Sequence, residues 1–140
     1  MTEPGPDEVM DHLVQVSFTV MALLSRAAAA HDLSLTQLRA LAILRDRTPK
    51  MAELADYLGL DRSSVTGLID RAVKRGLVRR EASEDDGRAV RVGLTDQAHR
   101  LAGELGAEIA TLLAPLTHDL SPAERNRLGV LLGRMLPPER

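Results

Sequence analysis

A mainly α-helical fold with a small β-hairpin wing is predicted for this 140-residue chain: a winged helix-turn-helix with N- and C-terminal dimerisation helices. Three observations predict it. Residues 51–78 read as two short amphipathic helices joined by a turn centred on Gly59. Alternating apolar and polar residues follow at once, on either side of Asp86-Gly87, which is the pattern of a hairpin with one buried face. Long helical stripes of aliphatic residues lie before and after this block.

The elements follow in order. A short polar start, residues 1–7, has no apolar signal-peptide core. Residues 8–30 then carry Val9, Leu13, Val16, Val20, Leu23 and Leu24 on one helical side, with Phe18 and Met21 alongside, until His31-Asp32-Leu33 breaks the pattern. Ser34 and Gln37 form a capping box, so a second helix starts near Leu35 and ends near Asp46, with Leu38, Leu41, Ala42 and Arg45 at helical spacing. Thr48-Pro49 marks the next boundary.

In the helix-turn-helix, Ala55 must be small where two helices cross, and Gly59 allows the left-handed conformation that ends the first of them. Leu54, Leu58, Val65 and Leu68 supply buried contacts. Asp61 caps the second helix, whose inward stripe is Val65, Leu68, Ile69, Ala72 and Val73. Gly76 sits where a C-terminal cap belongs, after Lys74 and Arg75. The hairpin alternates Val90, Val92 and Leu94 with Ala89, Arg91 and Gly93. Thr95 can cap a third long helix reaching about Ala114, striped by Leu101, Leu105, Ile109 and Leu112, with Leu116 beyond and Pro115 limiting it. Ser121-Pro122-Ala123-Glu124 starts the last helix, which stops at Pro137-Pro138.

Composition narrows the function classes. Hydrophobic residues make up 44% of the chain, enough for a core, but the only aromatics are Phe18 and Tyr57, so that core is aliphatic. No cysteine is present, which excludes disulfides, thiolate metal sites and thiol redox sensing. No apolar run reads as long enough to span a bilayer, so the expected location is the cytoplasm, without a membrane partner. The net charge of −2 is unevenly spread: residues 45–91 carry +2, the segment before them −3 and the segment after them −1. Phosphate binding depends on such local placement more than on the sum.

The second helix of the helix-turn-helix turns Arg62, Ser63, Ser64, Thr66, Gly67, Asp70, Arg71 and Lys74 outward. A helix of this kind enters the DNA major groove, and its N-terminal residues reach base edges. Arg62 can bond a guanine with both arms, the hydroxyl groups can bond bases or phosphate, and Gly67 lets a phosphate or base come close. Arg88 at the hairpin tip can enter a narrow A·T-rich minor groove. Glu84 and Asp85 would repel phosphate, so only part of the wing can approach DNA.

Asp86-Gly87-Arg88, followed after five residues by Leu94-Thr95, together with Leu35-Thr36-Gln37-Leu38 and the run from Met51 to Leu60, resembles the MarR family of bacterial transcriptional regulators (multiple antibiotic resistance regulators). The order of elements matches that family over nearly the whole chain. The resemblance implies that Arg88 reads the minor groove with Asp86 orienting it. It also implies an effector, often a small aromatic or phenolic anion, bound between dimerisation helices and the winged lobe. By position, Phe18, Met21, His31, Leu38 and Leu41 are candidates to line such a pocket, although each suits a core equally well. The lack of cysteine excludes the peroxide-sensing branch.

Residues 1–33 and 95–140 are expected to be dimerisation helices, and residues 34–94 the DNA-binding lobe. The apolar stripes at both ends have no sheet to cover them, so a second copy is their simplest partner. A homodimer would set two recognition helices about 34 Å apart, to match a pseudo-palindromic operator. The expected function is a ligand-responsive regulator, most often a repressor, of double-stranded DNA. A protein-docking winged helix and a metal-responsive sensor are the alternatives. His12, His31, His99 and His118 show no ligand spacing, and Glu84-Asp85-Asp86 would rarely converge on one cation, so no metal or cofactor is expected. No nucleophile motif or phosphate-cradling loop points to an enzyme.

Overall fold

The computed structural model describes residues 3–82 and 89–138. Among the described residues, six helices and one hairpin run in the order α1 (Pro6–Ala29), α2 (Leu35–Arg45), α3 (Met51–Leu58), α4 (Arg62–Lys74), β1 (Val78–Ala82), β2 (Val90–Leu94), α5 (Asp96–Leu113) and α6 (Pro122–Met135), with a 3-10 turn over Ala114–Thr117.

Local chemistry accounts for most of these boundaries. Ser34 Oγ accepts the Gln37 N–H at 3.1 Å and the Ser34 N–H donates to Gln37 Oε1 at 2.7 Å, a closed capping box that starts α2. Ser121 and Glu124 repeat that arrangement at α6. Gly59 and Gly76 end α3 and α4 at φ of 66° and 73°, a region that a side chain would disfavour. Asp32 takes the same role after α1 at φ 58°: the Leu33 N–H reaches Ala28 O at 2.9 Å and the Asp32 N–H reaches Ala29 O at 3.1 Å, which closes a Schellman turn. Pro115 has no N–H to continue α5, and the chain tightens into the 3-10 turn.

The core is aliphatic and sits in the middle of the chain. Leu38, Leu41 and Leu44 of α2, Leu54 and Leu58 of α3, Val65, Leu68 and Ile69 of α4, Val92 and Leu94 of β2, and Leu105 of α5 are all buried in one cluster. Ala55 is buried between α3 and α4 at 5% exposure. The hairpin is antiparallel, with Val78 opposite Leu94, Arg80 opposite Val92 and Ala82 opposite Val90. Its outer edge is covered by the α2–α3 link, where the Val92 N–H donates to Pro49 O at 2.9 Å and Lys50 bridges Arg91.

Three expectations need correction. Val73 is 37% exposed rather than buried, because it lies about 80° from Val65 around the helix, on the margin of the inward stripe. Val90, also 37% exposed, reaches past the end of the packed part of the hairpin. In α2, Leu44 rather than Ala42 or Arg45 completes the buried face. A fourth correction concerns α1: it has 24 residues, and a stretch of 18 within it has a mean hydropathy of 1.2, so by length and composition alone it could cross a membrane and the reading that no run is long enough does not hold. Its polar residues Gln15, Ser17 and Thr19 are spaced among apolar ones, which hides the apolar length in a linear reading.

The ends of the chain are not covered. In α1 only Ala27 and Ala28 are buried, while Val9, Met10, Val14, Val16, Phe18 and Met21 are exposed. Helix α6 has no buried residue, and Leu128, Val130, Leu131, Leu132 and Met135 face outward.

Candidate nucleic-acid interface

Helix α4 is held so that one side serves the core and the other stays open. Val65, Leu68 and Ile69 anchor it, and Arg62, Ser63, Ser64, Thr66, Asp70, Arg71 and Lys74 are exposed on the opposite side. At its N-terminus Asp61 Oδ1 accepts the Ser64 N–H at 2.7 Å and the Ser63 hydroxyl at 2.9 Å. These hydrogen bonds, the Ser64 N–H first, hold the Asp61 carboxyl below the usual carboxylate range. The Thr66 hydroxyl donates to Arg62 O at 2.8 Å, which leaves its oxygen lone pairs free to accept.

Two grooves flank α4. One of about 390 Å³ lies toward α3 and the wing, lined by Lys50, Met51, Arg62, Thr66 and Val90. The other, of about 420 Å³, lies toward the start of α2, lined by Ser34, Thr36, Gln37, Ser64 and Arg71. Helix α4 is thus bordered by a cation, Lys50 of the α2–α3 link, and by the hydroxyl groups of Ser34 and Thr36 at the start of α2, which suits a phosphate-flanked groove.

The structure refines several of the expected roles. A Cβ added at Gly67 would stand 3.3 Å from Arg71 Nη1, so the space above Gly67 is taken by the Arg71 head, a flexible group able to swing away. Asp70, an acidic residue on the outward side, is paired with Arg80 of β1. That pairing masks a charge that would otherwise repel phosphate, and its energy as an exposed ion pair is small. Arg80, Lys50 and Thr36 were not singled out from sequence, since their closeness to α4 depends on packing between distant segments. The local excess of basic residues was the one available signal. Asp86 and Arg88 lie outside the described residues.

The five candidate effector-pocket residues occupy separate places. Leu38 and Leu41 belong to the core cluster. Phe18 and Met21 are exposed on α1, at 64% and 41%. His31 Nε2 lies 3.1 Å from both carboxylate oxygens of Glu108 on α5. Among the described residues, no group of three or more histidine or carboxylate side chains is placed to hold a metal ion.

Core, hairpin and open helix together define a winged helix-turn-helix protein. A family model described as "MarR family" matches residues 31–89. The uncharacterised HTH-type transcriptional regulator YfiV of Bacillus subtilis is 36% identical over 95 residues, 67% of this chain and 59% of that relative's own length. The apo crystal structure of Escherichia coli MarR superposes with a TM-score of 0.78 at 27% identity, covering 97% of this chain and 100% of that one. A mutant form of the same protein complexed with operator DNA gives 0.73 at 26% identity, covering 93% and 94%. Bordetella bronchiseptica BpsR, whose DNA binding is regulated by 6-hydroxynicotinic acid, gives 0.72 at 25% identity, covering 91% and 98%. Over its winged helix-turn-helix the chain matches the MarR family, and its fold is that of the MarR regulators.

Proposed function

We propose that the protein is a sequence-specific DNA-binding transcriptional regulator acting in the cytoplasm as a homodimer on a pseudo-palindromic operator. The observation that carries this reading is the outward side of α4: Arg62, Ser63, Thr66, Arg71 and Lys74 stand exposed on a helix anchored by a buried stripe. Likeness to an operator-bound MarR structure supports it. In this reading Arg62 and the hydroxyl groups meet base edges, while Lys50, Thr36 and Lys74 meet phosphates. Arg88, oriented by Asp86, enters the minor groove.

Dimerisation, assigned to residues 1–33 and 95–140, is supported by the apolar faces that α1 and α6 leave in solvent. Residues 34–94 then form the DNA-binding lobe. Response to a small ligand is supported by the likeness to BpsR; in the same reading the ligand-free dimer represses by occupying its operator. Such a ligand acts by favouring a dimer whose two recognition helices are wrongly spaced.

A gel-shift titration tests the reading, with DNA from upstream of the protein's own gene beside a random duplex. Tight binding to the first that weakens steeply as salt rises is the expected result. Arg62→Ala should cost roughly 1–3 kcal/mol on that DNA and relax base preference. Equal loss on both duplexes would move Arg62 to a phosphate role. Weak, equal binding of the parent protein to both, and to duplexes selected from a random pool, would favour a protein-docking role for α4.

A further inference from the structure

The Arg75 guanidinium, at the C-terminal end of α4, donates from Nη1 to Asp32 O at 2.8 Å and from Nη2 to His31 O at 3.0 Å. These are the carbonyls of the turn that ends α1, where Asp32 is left-handed at φ 58°. The same turn is held from its other side, where His31 Nε2 meets the Glu108 carboxylate of α5 at 3.1 Å. One short turn therefore ties the end of the recognition helix to both long helices of the arm.

We propose that Arg75 is a positioning residue for DNA binding: its two bonds to the His31-Asp32 turn fix the tilt of α4 against α1 and α5, and it makes no phosphate contact of its own. The planar fork of arginine matches two adjacent carbonyls, whereas a lysine ammonium offers one compact point of charge on a flexible stem. Replacement by lysine therefore keeps the charge and loses the tie. The inference rests on the DNA-binding reading for its consequence, though the tie itself can be read without DNA.

The experiment has two arms, each comparing the parent with Arg75→Ala and Arg75→Lys after thermal melting has verified folding. In the first, spin labels are placed at Ser25→Cys on α1 and Ser63→Cys on α4, in a chain with no cysteine of its own. Labelled chains are diluted into unlabelled ones, so that distances within one chain are read. Both variants should broaden the distance distribution; an unchanged distribution in both overturns the tie. The second arm measures affinity for a duplex with two half-sites, selected from a random pool by the parent protein, and for a random duplex. Both variants should lose about tenfold on the selected duplex. Random-duplex binding and its salt dependence should not change. Retained affinity with lysine, or equal loss on both duplexes with a shallower salt dependence, overturns the role and makes Arg75 a phosphate contact. If the parent selects no DNA, the DNA-binding reading fails, while the first arm still decides whether Arg75 holds the helix.

Discussion

Thr95 shows how much one side chain can hold. Its hydroxyl oxygen accepts the Ala98 N–H at 3.1 Å, capping α5, while its proton goes to Gly76 O at 2.7 Å, just beyond α4. Loss of the oxygen leaves an uncapped helix and an unpaired carbonyl together. Thr95→Ala should therefore lower stability by about 1–2 kcal/mol in urea unfolding, and Thr95→Ser should recover most of it. The cap was legible in the sequence because it depends on residues three apart. The bond to Gly76 was not, because it depends on where the hairpin returns the chain. Asp70 and Arg80 teach the same lesson, since no local pattern marks a pair formed across two elements.

At the scale of elements, helix starts and stops were the most legible part of the fold. Ser34, Asp61, Thr95 and Ser121 all cap where their spacing said they would. Val73 escaped because a stripe read from periodicity has no sharp margin; only the width of the neighbouring core decides what lies beneath it. The cap of α4 also carries a pH dependence. Asp61 is held below the ordinary carboxylate range in the folded chain, so its contribution is complete above the unfolded pKa and disappears as pH falls through the lower folded value. Asp61→Ser substitutes a neutral cap. In melting curves taken from neutral pH into the acid range, the variant should lose less on the acid side than the parent. Parallel curves would show that the Asp61 charge contributes nothing.

For the whole molecule, the middle was easier to read than the ends. The core residues, from Ala28 to Leu105, bury one another within a single chain, so periodicity and burial agree there. The faces of α1 and α6 keep their apolar patterns without a cover, and a sequence cannot say whether such a stripe meets its own chain or another. If a second copy covers them, folding and association are linked, and the melting temperature must rise with protein concentration. A hundredfold dilution followed by calorimetry or light scattering checks this, and a melting temperature independent of concentration would argue for a monomer. The site residues divide in the same way. Those on α4 were legible from a helical face, whereas Lys50, Thr36 and Arg80 reach it only through the tertiary fold.

The scarcity of aromatic residues has a practical optical consequence. The chain has no tryptophan and one tyrosine, Tyr57, on α3, with the Arg47 guanidinium 5.0 Å from its ring centre. Ultraviolet emission of the unaltered protein therefore originates almost wholly from the helix-turn-helix. Phe18, exposed on α1, offers a place for a single tryptophan whose longer-wavelength signal would come from the arm alone. With these two colours, the loosening of the lobe and of the arm could be timed separately in one cuvette.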